Sequence, residues 1–203
     1  MSEQPSFIYL ASQSPRRSQL LQQLGVPHAL LLPDPEEDTE SLEVALRNEA
    51  PKAYVQRVTA LKLQAAEQRL VVRHLQPAPI LCADTTVALG RSIFGKPEDA
   101  EDARRMLHAL ANRPHRVMTA IAIGWGEHYA VACSESWVTF ADMSEQDIDA
   151  YVATGEPMGK AGAYAVQGRA AAHIAHMSGS YSGIMGLPLF ETAQALRELG
   201  FSV

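Results

Sequence analysis

Arg16 and Arg17 are adjacent cations in the first turn of an expected helix, where the helix dipole already favours negative charge. An amphipathic helix has no packing use for two guanidinium groups there. An anion would resolve the conflict, because backbone N–H groups and two planar donor forks make a phosphate site. The alternative is two solvated arginines on an exposed turn. Lys62 is a second anomaly. Projection at helical spacing puts Val55, Val58, Ala65 and Ala66 on one face, with Lys62 in its middle. Such a lysine either lays its stem on apolar surface and snorkels out, or faces a cleft and an anionic partner.

Asp84 lies in the apolar run Leu81-Cys82-Ala83-Asp84-Thr85-Thr86-Val87. A carboxylate there is costly unless it is hydrogen-bonded, paired or bound to a metal. It is a strand-end cap, a metal ligand or a general base. A hairpin turn near Gly90-Arg91 would set Asp84 opposite or nearly opposite Lys96, giving either a salt bridge or half of a phosphate-and-metal site. Glu36, Glu37 and Asp38 form an acidic loop. Such charge is usually solvated, but one member could join a magnesium site, which takes one or two carboxylates plus substrate phosphates. Gln167 sits between small residues and offers paired donor and acceptor atoms to a base edge. The run Ser178-Gly179-Ser180-Tyr181-Ser182-Gly183 reads as a flexible turn able to cover a ligand. The seven histidines show no metal-motif spacing, so zinc is not expected. Neither a Gly-Lys-Ser/Thr phosphate loop nor a Gly-x-Ser-x-Gly elbow occurs.

The elements that must position these residues follow from pattern. Residues 7–11 read as a strand, Ser14 as a helix cap, Pro15 as the first helical residue, and Gly25 as the stop. A long helix runs from about residue 50 towards 75. A strand over 80–89 turns at Gly90-Arg91-Ser92 into a return strand at Ile93-Phe94. Pro97 opens a helix with the stripe Ala103, Met106, Leu107 and Leu110. Strands over 117–125 and 129–140 flank a hairpin, Ser144 caps a helix, and the last helix covers about 189–199. Mixed strands, helices and hairpins predict a mixed α/β sheet.

With 203 residues, 47% hydrophobic and 20% charged, the chain fits one domain over residues 1–203, or two small lobes sharing a core. Its cysteines, Cys82 and Cys133, point to buried thiols in a reducing compartment. A net charge of −6 argues against general attraction to nucleic acid. The first five residues are acidic rather than basic and no long apolar run follows, so neither a secretion signal nor a membrane span is expected. The expectation is a soluble, cytoplasmic protein.

Five motifs then occur in order: Ala11-Ser12-Gln13-Ser14-Pro15-Arg16-Arg17, Ala83-Asp84-Thr85, Gly95-Lys96-Pro97, Lys160-Ala161-Gly162-Ala163-Tyr164 and Gly186-Leu187-Pro188. Together they resemble the Maf family of nucleoside triphosphate pyrophosphatases over nearly the whole chain. The resemblance implies a Maf/ITPase-like, two-lobed α/β fold: an extended, curved mixed sheet flanked by helices around a central cleft. It implies hydrolysis of a nucleoside triphosphate to monophosphate and pyrophosphate with a divalent cation, Mg2+ or Mn2+. It makes Asp84 the base, and Asp84 and Glu37 the metal contacts. Phosphate binding falls to Ser12, Ser14, Arg16, Arg17, Lys62 and Lys96, and base choice to Arg16, Thr85 and Gln167. The Lys-Ala-Gly-Ala-Tyr and Val-Gln-Gly pattern is similar to the branch acting on dTTP and UTP, with modified pyrimidine nucleotides as further candidates. The alternatives are the 7-methyl-GTP branch and a non-catalytic nucleotide sensor acting on cell division. A homodimer is compatible with the resemblance. So are two purposes, house-cleaning of nucleotides and growth control. The sequence departs from the family in a long stretch over 38–51, in Leu110-Ala111-Asn112 ahead of His115, and in the Ala-rich run 169–172.

Overall fold

A computed structural model describes residues 6–39, 41–201 and 203. The acidic N-terminal five residues and Glu40 of the acidic loop lie outside the described residues. Seven strands form one mixed sheet. Strand β1 (Ile8–Leu10) is wholly buried. It pairs in parallel with β2 (His28–Leu30) on one side and β3 (Ile80–Leu89) on the other. Antiparallel partners continue through β5 (Pro114–Trp125), β6 (His128–Phe140) and β7 (Ile174–Ser178). The short β4 (Ser92–Phe94) returns along the far end of β3.

One pairing detail creates the site. β1 meets β3 only at Ile80 and Leu81, and β4 meets it only from Val87 onward. Between them, no described strand pairs with residues 82–86 on that flank.

Side chains alternate along β3. Cys82 and Ala88 turn to α2 (Pro51–Val72) and pack with Val55, Val58, Leu63 and Ala66. Ala83 turns the other way, onto Leu20 of α1 (Pro15–Gln23) and Leu196 of α6 (Leu189–Glu198). Val87 joins a third cluster with Leu107 of α3 (Ala100–Leu110) and Ile148 of α4 (Glu145–Val152). Burial of these apolar faces, at roughly 25 cal/mol per Å², holds the helices on the sheet.

The long helix, the β3–β4 hairpin, the β5–β6 hairpin and the Ser144 cap lie where the sequence pattern places them. Several details differ. Pro97 does not open α3: the Asp99 side chain accepts from Asp102 N at 2.8 Å and caps a helix that begins at Ala100. Ser14 occupies the cap position of α1, but its hydroxyl makes no cap bond; its N–H bonds Ser12 Oγ instead. The stretch 178–183 is not a loose turn. Ser180 caps the short helix α5 (Tyr181–Met185) by accepting from Gly183 N at 3.0 Å.

Candidate active site

A cavity of about 410 Å³ opens at the unpaired flank of β3, within the range typical of small-ligand pockets. Ser12, Ser14, Arg16, Arg17, Lys62, Asp84, Thr85 and Lys96 all line it. Five elements and loops thus bring the sequence-derived candidates to one place.

The side facing α2 is charged. Lys62 Nζ donates to Asp84 Oδ1 at 2.6 Å and to Glu43 Oε1 at 2.7 Å. Lys96 Nζ donates to Glu43 Oε2 at 2.9 Å. Burial works against the Lys62 ammonium, but Asp84 and Glu43 outweigh it and hold its pKa above the usual lysine value. Burial likewise works against the Glu43 charge, and Lys62 and Lys96 outweigh it, so its pKa falls. Lys62 is therefore the cleft-facing lysine rather than the snorkelling one.

Two expectations change here. Lys96 does not meet Asp84: the β3–β4 ladder ends at Val87↔Phe94, and Asp84 sits opposite Ala120 on β5. Lys96 lies beyond the strand and reaches Glu43 instead. Glu37 does not face the cavity. Its carboxylate pairs with both Nε and Nη2 of Arg69, whose Nη1 also holds the Leu31 carbonyl at 2.9 Å. Glu36 is exposed. The second cavity carboxylate is Glu43, which sequence reasoning passed over. It stands between Leu42 and Val44 in the stretch noted as long; an acid between apolar neighbours was the available signal.

The opposite side is held by Arg17. Its Nε donates to Gly186 O at 2.7 Å, Nη1 to Ser12 Oγ at 3.1 Å, and Nη2 to Thr85 Oγ1 at 3.3 Å. Arg16 Nε donates to Met185 O at 3.3 Å. Burial lowers the pKa of both guanidinium groups, and at Arg17 it outweighs the nearby Asp84. Thr85 Oγ1 lies 2.9 Å from Thr119 Oγ1. Gln167 is exposed and is not part of the cavity wall, although its neighbour Val166 is. Tyr164 lines the cavity, and its hydroxyl lies 2.9 Å from Nε2 of the fully buried His115. Burial pushes the His115 pKa down to about 4, so its ring is neutral at pH 7; with Nδ1–H donating to the Arg113 carbonyl at 3.3 Å, Nε2 accepts a hydrogen bond from the phenol. Gly162 lets the Lys160–Tyr164 segment approach β3. Its φ is +69°, and an added Cβ would stand 2.9 Å from Val87.

Among the described residues, no group of three or more His, Cys, Asp or Glu side chains converges as a metal cage. Asp84 and Glu43 line the same cavity and both accept from Lys62 Nζ; two carboxylates on one cavity are a donor set that fits Mg2+ or Mn2+ arriving with a polyphosphate. The site thus combines two acids, Asp84 and Glu43, with six cations, Arg16, Arg17, Lys62, Arg69, Lys96 and Lys160, a set suited to holding and hydrolysing a phosphoanhydride.

A family model described as Maf-like protein matches residues 7–199. The dTTP/UTP pyrophosphatase of Albidiferax ferrireducens is 68% identical over 197 residues, covering 97% of this chain and 98% of its own length. That of a Polaromonas species is 62% identical, with the same coverage. That of Ralstonia nicotianae is 56% identical over 97% of this chain and 95% of its own. Among solved structures, the Staphylococcus aureus Ham1 protein superposes with a TM-score of 0.41 at 14% identity, covering 66% of this chain and 72% of that one.

Proposed function

This chain belongs to the Maf-like protein family, and from that membership we propose that it hydrolyses dTTP and UTP to the monophosphate and pyrophosphate. The observation that carries the reading is the convergence of Asp84 and Glu43 with Lys62, Lys96, Arg16 and Arg17 on one cavity. Such a set supplies cations to hold a triphosphate and a carboxylate, Asp84, to handle a water.

Asp84 accepts the proton of a water that attacks the α–β phosphoanhydride. The P–O bond breaks and pyrophosphate leaves. Lys62, at 2.6 Å, fixes the direction of the Asp84 carboxylate and, with Lys96, offsets charge that grows on the departing oxygens. Arg16 projects its guanidinium into the cavity beside Arg17, whose fork ties the first turn of α1 to Gly186 and Thr85. Ser12 anchors that turn by accepting from Ser14 N and Arg17. A divalent cation held by Asp84 and Glu43 would supply further charge neutralisation on the phosphates. Gln167, at the exposed end of the Tyr164–Val166 wall, contributes to base choice on this reading. No helix among the described residues is long and apolar enough to cross a membrane; a cytoplasmic location belongs to the same proposal.

The test is pyrophosphate release with magnesium from dTTP, UTP, dCTP, CTP, ATP, GTP and 7-methyl-GTP. Turnover concentrated on dTTP and UTP is expected. Preference for 7-methyl-GTP, or binding without pyrophosphate release, would overturn the reading.

A further inference from the structure

We propose that Thr119, a buried residue outside the cavity wall, governs base choice by fixing the direction of the Thr85 hydroxyl. The inference rests on the dTTP and UTP reading and names the group that reads the base.

The two sides of the cavity differ in kind. The α2 side carries the acids and lysines. Beyond Arg16 and Arg17, the other side presents Val117, Tyr164, Val166, Ile184 and Met185, an apolar stretch of wall that suits a flat base. Thr85 is partly exposed on this side, because Ala83 and Val87 of the same strand face belong to the clusters away from α2. Its hydroxyl is therefore a polar group placed among the base's apolar contacts.

Proton accounting sets what that hydroxyl can do. Thr119 Oγ1 lies 2.7 Å from the Gly183 carbonyl. A carbonyl only accepts, so the single Thr119 proton is committed there. Thr119 Oγ1 also lies 2.9 Å from Thr85 Oγ1. With no proton left, Thr119 must accept, and Thr85 must donate. Arg17 Nη2 approaches Thr85 Oγ1 at 3.3 Å, and a guanidinium only donates. The Thr85 proton and one lone pair are thus taken. What remains is a single lone pair, an acceptor.

An acceptor rewards a donor on the base edge. Thymine and uracil carry N3–H; the cytosine N3 carries only a lone pair. Cytosine in the same pose would set lone pair against lone pair, which discriminates by repulsion as well as by a missing bond. Thr119 is 1% exposed, so it is a positioning residue that acts through Thr85.

The experiment compares kcat/KM for UTP, CTP and N3-methyl-UTP in the wild type, Thr119→Val and Thr119→Ser, with thermal melts as controls. The wild type should lose at least about 10-fold on N3-methyl-UTP, the scale of leaving one buried polar group unpaired. Thr119→Val frees the Thr85 proton and should narrow the UTP:CTP ratio by about 10-fold or more. Thr119→Ser keeps the hydroxyl and should restore the ratio. Purely structural damage would lower both substrates together and leave the ratio intact. Equal use of UTP and N3-methyl-UTP by the wild type, or an unchanged ratio in folded Thr119→Val, would overturn the inference. Should Thr119→Val not fold, Thr119→Ala takes its place, with the same narrowing expected and an unchanged ratio again overturning the inference. Failure of UTP itself to release pyrophosphate would instead overturn the pyrophosphatase reading.

Discussion

Replacing Glu43 with Gln tests the assignment of the second cavity acid. In the native protein its two oxygens receive Lys62 at 2.7 Å and Lys96 at 2.9 Å. The amide keeps one acceptor oxygen and adds an N–H2 group facing an ammonium. About one charge-assisted hydrogen bond is lost, worth roughly 1.5–3 kcal/mol. Lys62 retains Asp84 at 2.6 Å, so the lysine is not orphaned and the fold should survive. If that energy is expressed in the transition state, kcat/KM falls by roughly 10- to 150-fold. The half-saturating magnesium concentration should rise as well, since one of two carboxylates is gone. Glu37→Gln is the paired control. Glu37 does not line the cavity, but the Arg69 it holds does, so Glu37→Gln should lower the melting temperature and cost less kcat/KM per folded molecule than Glu43→Gln. Pyrophosphate release across a magnesium titration reads both variants. Full activity in Glu43→Gln together with an inactive, folded Glu37→Gln would refute the assignment.

Asp84→Asn should lose about 10²–10⁴-fold in turnover, the scale of a missing general base, with an unchanged circular dichroism spectrum; near-normal hydrolysis of dTTP would sink its role. Gln167→Ala should change the ranking of bases more than the rate on the best substrate, read from the same nucleotide panel; an identical ranking would remove Gln167 from recognition. His115 predicts a pH effect on stability. Its pKa is depressed to about 4 in the folded protein from 6.5, so the unfolded chain takes up the proton first as pH falls. Its contribution is complete above about pH 6.5 and is lost between there and about pH 4, amounting to roughly 2 kcal/mol between pH 7 and 5. Urea midpoints at those two pH values should lie closer together in His115→Gln than in the wild type, and equal spacing would refute the account.

The long helix and both hairpins were legible because each carries a period or a turn signal: the face Val55, Val58, Ala65 and Ala66 on α2, and Gly126 turning β5 into β6 with φ +60°. The phosphate-binding candidates were legible as charges in places with no packing use for them. Lys62 is the clearest case, since its two carboxylate partners confirm that an ammonium on an apolar helix face was facing something. Glu43 was not legible because it stands in a loop segment, where no periodicity says which way a side chain points. The position of Lys96 failed for a related reason. Hairpin symmetry alone pairs residues past Phe94, whereas the chain leaves the ladder there. Strand β2 went unseen because its residues are half-buried or exposed and show no alternation. Strand β7 and helix α5 lie in Ala- and Gly-rich stretches whose order comes from tertiary bonds, such as Ser180 N to Ser136 Oγ at 2.9 Å.

Asp84 and Thr85 are joined by one peptide bond and look in opposite directions from the same uncovered edge. On the roles proposed for them, bond breaking and letter reading are locked in phase, with no hinge between them to drift. Inserting a single residue into the middle of β3 would send each group to the other's side and abolish both tasks at once.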